Sequence, residues 1–208
     1  MKTITDIKPQ AKTPTRCNIY LDNVFFCGLE LETVMKARLK IGLSVSEERL
    51  EEIQYEEERI KALDKALSYI TRSKKTEKEV SDYLRKKGYT DKTINETIEK
   101  LKGYKFVDDE LYATDYANSL SKSKGKRLIA LELRRKGVSD ADMKDALDGI
   151  EDESKSALAV AEKYMRNKPR DRQNTLKCYK YLLSKGFGYD CAKEAAEKAG
   201  AAAEEEYI

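Results

Sequence analysis

The sequence predicts a mainly α fold: tandem three-helix repeats in an elongated curved array, behind a small N-terminal domain of β-hairpin and helices. Three observations predict it. One segment is written three times, as Leu84-Arg85-Lys86-Lys87-Gly88-Tyr89, Leu133-Arg134-Arg135-Lys136-Gly137-Val138 and Leu182-Leu183-Ser184-Lys185-Gly186-Phe187, with glycines 49 residues apart both times. A fixed period of that size marks a repeat array. Apolar pairs at helical spacing precede each glycine: Val80 and Leu84, Ile129 and Leu133, Cys178 and Leu182. Residues 16–29 instead carry two short strand-like runs either side of Asp22-Asn23.

Taken in order, Thr3 to Lys8 reads as a short strand, and Pro9 and Pro14 bracket a loop. Arg16–Leu21 and Val24–Leu29 form a hairpin, because Asp and Asn tolerate the positive φ of a two-residue turn. A regular register puts Ile19, Leu21, Val24 and Phe26 on one face and Tyr20, Phe25 and Cys27 on the other, so Cys17 and Cys27 point apart. Glu30 to Lys40 reads as a helix with Leu31, Val34, Met35 and Leu39 on one side, stopped by Gly42. Ser46 opens another, running through Leu50, Ile53 and Tyr55. Its glutamates (Glu51, Glu52, Glu56, Glu57, Glu58) form a solvated face.

The expected divisions are 1–58 for the N-terminal domain, 59–108, 109–157 and 158–200 for the repeats, and 201–208 for a frayed tail. Ala62, Leu63, Ala66, Leu67 and Ile70 line the first helix of the first repeat. Thr76 with Glu79 is a capping box opening its second. Each second helix ends in basic residues that complement the macrodipole, and Gly88, Gly137 and Gly186 then cap it in the left-handed conformation. Thr90 and Ser139 cap the third helices, which carry Ile94, Ile98 and Leu101, then Met143, Leu147 and Ile150. Only Ala192, Ala196 and Ala199 hold those places in the third repeat, which predicts thin packing there.

Composition excludes several classes. The chain has four cysteines, no CxxC pair and no histidine, so neither a zinc site nor a thiol–imidazole nucleophile is expected. No apolar run reaches the roughly 18 residues of a membrane helix, and no signal peptide is evident, which predicts a cytoplasmic protein. No glycine-rich phosphate loop, GxSxG or HExxH occurs, so no enzyme is expected. Asp108 and Asp109 read as helix caps rather than metal ligands.

Positive charge recurs. Arg72, Lys74 and Lys75, then Lys122, Lys124, Lys126 and Arg127, then Arg166, Lys168, Arg170 and Arg172 fall at similar places in successive repeats. Arg85, Lys86, Arg134 and Arg135 add to them at the helix ends to make fifteen, and Lys87, Lys136 and Lys185 stand with them there. Stacked repeats place equivalent residues along one side, so these fifteen predict a discontinuous basic track suited to phosphate or to an acidic protein groove.

Over about residues 3–198 the chain resembles the RecX family, bacterial regulators of the RecA recombinase. The resemblance rests on Ala66, Leu67, Arg72, Thr76, Glu79, Leu84, Lys87 and Gly88, then on Asp108-Asp109-Glu110 followed by Tyr112-Ala113. It continues through Lys124-Gly125, Arg127, Glu132-Leu133, Lys136-Gly137-Val138, Tyr181-Leu182 and Gly186-Phe187. The hairpin is similar to that of the longer, Gram-positive-type members. Leu111 departs from a position often basic in the family, and Lys126 from one often proline. The resemblance implies a cofactor-free monomer that lies in the groove of the RecA–single-stranded DNA filament. There it would block extension, promote disassembly, and inhibit or modulate recombination, DNA repair and SOS co-protease activity. A stand-alone DNA-binding helical module, touching duplex weakly, is the alternative.

Overall fold

In a computed structural model, residues 1–150 and 152–201 are described. The expected tail lies, apart from its first residue, outside the described residues. The elements are β1 (Lys2–Gln10), β2 (Thr13–Leu21), β3 (Val24–Glu30), α1 (Leu31–Lys36), β4 (Ser44–Val45) and α2 (Glu47–Ile70). There follow α3 (Glu77–Lys86), α4 (Asp91–Gly103), α5 (Asp109–Leu120), α6 (Lys126–Arg135), α7 (Asp140–Asp148), α8 (Glu153–Met165), α9 (Arg172–Ser184) and α10 (Tyr189–Ala201). The fold is mainly α with tandem three-helix repeats, as expected. Two compact units are present: Met1–Ser73 with Ser81–Gly103, and Lys74–Val80 with Tyr104–Ile208.

The first unit opens with an antiparallel sheet in the order β3-β2-β1-β4. Asp22 and Asn23 turn the hairpin at φ 47° and 68°, as their side chains predict. Three expectations are corrected here. Pro9 and Pro14 lie inside strands, with Pro9 opposite Cys17. β1 is an edge there, since β4 meets it only at Lys2 and Thr3, and Pro14 precedes the pairing of β2 with β3. Proline is tolerated at such places because no ladder needs its missing N–H.

The register is also irregular. Ile19 faces Cys27 but Tyr20 faces Phe25, leaving Phe26 as an extra residue. That bulge flips the following positions, so Cys17, Ile19, Leu21, Cys27 and Leu29 share the buried face while Val24 is 69% exposed. The two cysteines are thus on one face, both as free thiols. Third, α1 stops at Lys36, since Arg38 takes φ 52° and the chain turns back until the Gly42 N–H reaches the Ile4 carbonyl at 2.8 Å. Val34 and Leu39 are buried, but Leu31 and Met35 are 46% and 70% exposed.

Leu50 and Ile53, on the first half of α2, pack into the sheet core. A polar cluster locks that half in place. Buried Glu57 accepts from the Glu30 N–H at 2.7 Å and from Lys61 at 2.7 Å, and Arg16 lies 3.4 Å away. Glu57→Ala leaves the Glu30 N–H without its acceptor and takes one of two carboxylates from Lys61 and Arg16, which keep Glu30. It is expected to cost about 3 kcal/mol in urea unfolding followed by circular dichroism.

Farther on, α2 joins α3 and α4 around Ala62, Ala66, Leu84, Ile94, Ile98 and Leu101, all at most 3% exposed. Each second helix ends as its glycine predicts, with Gly88, Gly137 and Gly186 at φ 89°, 88° and 87°. Tyr89, Val138 and Phe187 each donate their N–H to the carbonyl of the leucine five residues earlier, at 3.3, 3.2 and 3.2 Å. This is the Schellman arrangement, repeated three times.

In the last repeat, Ala192, Ala195, Ala196 and Ala199 are at most 4% exposed. The packing is close, not thin. Small side chains let α10 approach α9 so nearly that a methyl on Gly200 would stand 2.5 Å from the Thr175 hydroxyl.

The period of 49 also fixes how repeats join. Thr76 closes the expected capping box, its hydroxyl accepting from the Glu79 N–H at 3.2 Å while donating to the Lys136 carbonyl at 2.6 Å. Forty-nine residues on, Gly125 donates its N–H to the Lys185 carbonyl at 2.9 Å, and the Gly186 carbonyl accepts from Arg127 at 3.2 Å. Both times, the first turn of a middle helix sits on the glycine cap of the next middle helix. An acid then completes each joint. Asp109 accepts from the Glu77 N–H and Glu153 from the Lys126 N–H, both at 2.8 Å. Asp108 caps α5 through the Leu111 N–H at 2.9 Å. These carboxylates have structural duties.

The α3–α6 joint contains a half-buried ion pair, Lys136 to Glu79 at 2.8 Å. Burial pushes the Glu79 carboxyl up, but Lys136 and the Thr76 N–H outweigh it and hold the group below its ordinary value. Its stabilising contribution is therefore complete above the unfolded pKa of about 4.3 and lost as pH falls through the depressed folded value. Glu79→Gln is expected to cost about 1–2 kcal/mol at pH 7. Urea titrations should show the gap from wild type closing in strong acid; a constant gap would mean the pair contributes nothing.

Candidate anion-binding surface

Basic residues gather at the junctions because glycine caps, basic last turns and uncapped loops recur there with the repeat period. The structure divides the fifteen candidates by what they already touch. Lys74 pairs with Asp115. Arg85 meets Asp82 at 3.2 Å and Asp91 at 3.1 Å, and Arg134 meets Asp140 at 3.1 Å. Lys124 is half-buried and bonds both oxygens of Glu132, at 2.7 and 2.8 Å. Burial pushes the Glu132 carboxyl up, yet Lys124 and the Tyr116 hydroxyl keep it below its usual range. Tyr116, donating to that carboxylate, is itself pushed up to about 12, chiefly by burial. Lys124 is thus a structural cation, and its neighbours in sequence are not.

Among the described residues, the side chains of Arg72, Lys86, Lys122, Lys126, Arg166, Arg170 and Arg172 enter no ion pair. Arg127 lies over the exposed ring of Tyr189, 4.8 Å from its centre, and Lys168 covers Tyr164. Arg135, next to Arg134, is exposed, and Lys75, next to Lys74, is half-buried. Arg72, Arg85 and Lys86 belong to the first unit and the other candidates to the second. The cations left for a ligand are therefore concentrated in the second unit, at the start of α6 and before α9.

One recurrent set of the expected track is engaged within the repeats themselves. Lys87, Lys136 and Lys185, one period apart, stand over Tyr83 at 5.6 Å, over Tyr112 and Tyr116 at 5.4 and 5.6 Å, and over Tyr181 at 5.3 Å. These rings stack among themselves, Tyr69 on Tyr83 at 4.2 Å, Tyr112 on Tyr116 at 5.8 Å and Tyr164 on Tyr181 at 4.6 Å. A lysine held over an aromatic pair is part of the repeat's own packing. The signal that could have separated these lysines from the track was the tyrosine four residues before Lys87 and Lys185. No group of three or more His, Cys, Asp or Glu that could hold a metal occurs among the described residues.

Comparison with known proteins places this architecture. Family sequence models match in chain order: the regulatory protein RecX N-terminal domain at residues 2–46, then the first, second and third RecX three-helix domains at 62–101, 108–147 and 151–196. The chain belongs to the RecX family. It is 35% identical to a regulatory protein RecX of Clostridium botulinum over 205 residues, 96% of this chain and 97% of that one. The RecX of Bacillus subtilis is 31% identical over 95% of this chain and 77% of its own length. Among solved structures, a crystal structure of regulatory protein RecX superposes with a TM-score of 0.67 at 26% identity, covering 95% of this chain and all (100%) of that one. RecX from Lactobacillus salivarius gives 0.63 at 30% identity, covering 68% and 96%. The RecX relatives are named regulatory proteins, so a regulatory role comes with membership. No helix among the described residues is long and apolar enough to cross a membrane.

Proposed function

We propose that this protein regulates the RecA recombinase by binding in the groove of the RecA–single-stranded DNA filament, where it restrains recombination, repair and SOS co-protease activity. It acts as a cytoplasmic monomer, without cofactor and without catalysis. Membership of a regulatory family supports the role. The observation that carries the mode of binding is the set of cations at the junctions of the second unit, Lys122, Lys126, Arg166, Arg170 and Arg172, that enter no ion pair among the described residues. Unpaired, mostly exposed cations attract phosphate or acidic protein without selecting a base sequence. The amino-terminal division at 1–58 and the three repeats at 59–108, 109–157 and 158–200 are the units we assign to this action.

Co-sedimentation on RecA filaments, with naked single-stranded DNA and duplex as controls, tests the reading. Retention by filaments well above either control is the expected result. Equal retention on duplex with and without RecA, together with untouched strand exchange, would leave only a stand-alone DNA-binding module.

A further inference from the structure

The amino-terminal unit carries a feature that filament binding through cations does not use. Between α1 and α2 lies a cleft of about 460 Å³. It exists because α1 is six residues long and the chain turns away at Arg38, leaving one side of the much longer α2 uncovered. Thr33, Ala37 and Ile53 line it, and Ile60, 64% exposed, stands at its side. Five carboxylates and three cations share the lining. Every one of those cations is already engaged: Lys36 with Glu32 at 2.7 Å, Arg49 with Glu52 at 2.9 Å, and Lys61 with Glu30 and Glu57 at 2.7 Å. The helix behind the cleft is strongly negative, with seven glutamates against Arg49 alone over residues 46–58.

We propose that this cleft docks a basic amphipathic segment of a partner protein. The apolar lining takes side chains repeating at helical spacing, and the carboxylates at the rim, Glu32, Glu52 and Glu56, meet the flanking lysines or arginines. A helix laid in a groove is anchored in this way by residues at i, i+3, i+4 and i+7. The same charge excludes nucleic acid, because net negative lining with no unengaged cation repels a phosphate backbone. The inference is independent of the filament reading, which rests on the other unit.

The test uses the full chain and a fluorescein-labelled helical peptide of leucine and lysine, with the leucines on one face, followed by anisotropy at about 0.15 M salt. Saturable binding is expected. It should weaken about tenfold when the same residues are rearranged so that leucines and lysines alternate around the helix. Ile60→Ser, and separately Glu52→Lys with Glu56→Lys, should weaken it to a similar degree. All three positions are solvent-exposed, and an unchanged circular dichroism melt establishes that each variant folds. Absence of binding by the patterned peptide, equal affinity for the rearranged one, or indifference to both variants overturns the proposal.

Discussion

Gly186→Ala should be among the most damaging single-methyl additions in this chain, lowering stability by about 3 kcal/mol or more. Two costs combine there. The residue holds φ 87°, which L side chains rarely adopt, and its new Cβ would stand 2.3 Å from the Leu128 Cβ and 2.4 Å from the Leu128 nitrogen. The neighbouring variants separate those costs. Gly88→Ala carries the backbone strain alone, at φ 89° with open space around it, and should lose about 1 kcal/mol. Gly125→Ala carries the steric cost alone. Gly125 sits at an ordinary φ of −79°, but its Cβ would fall 2.3 Å from the Gly186 carbonyl carbon and the Phe187 nitrogen. Urea unfolding of the three proteins should rank Gly186→Ala first and Gly88→Ala last. Equal losses at Gly88 and Gly186 would mean that α6 does not rest on the α9 cap in solution.

Reversal of three cations should have the largest functional effect. Lys122→Glu, Lys126→Glu and Arg127→Glu together change the local charge by six units at the start of α6, where no acid lies between Asp115 and Glu132. None of the three side chains is buried, and Lys124, which holds Glu132, is left in place. The fold should therefore survive, with an unchanged circular dichroism spectrum. Inhibition of RecA-driven strand exchange should fall by at least about tenfold, and residual binding to naked DNA should become less salt-dependent. A folded triple variant that still inhibits like the wild type would remove this surface from the mechanism. Lys124→Glu offers the contrast, since it places a second carboxylic side chain beside Glu132 and Tyr116 and should act on stability first.

Much of the repeat architecture was legible because its causes are local. Glycine after a helix end, Thr or Ser before an apolar run, and a capping box are decided within six residues; all three second helices end on the glycine cap, and α3 opens on the capping box. The candidate site was legible only as composition. A lysine followed by another two residues on looks the same whether it points at water or at a glutamate eight residues away. Lys124 and Lys126 are such a pair, and only the position of Glu132 on the next turns of α6 tells them apart.

The amino-terminal unit shows the opposite limit. Alternation found the hairpin and its turn, but one extra residue at Phe26 reversed the facing of everything after it along β3. The stop of α1 at Lys36 was equally hidden, because Arg38 at φ 52° is a residue type that seldom ends a helix that way.

The sequence by itself determined the repeat, its period of 49 and the conformation of its three capping glycines, since each depends on intrinsic backbone preference and on apolar spacing. Tertiary structure alone decided what each glycine cap receives. Thr76 meets the Lys136 carbonyl and Gly125 the Lys185 carbonyl across 60 residues of chain. It also decided which cations remain unpaired and that the α1–α2 cleft stays open. Those outcomes depend on distances between segments far apart in the chain, and no local preference encodes such a distance.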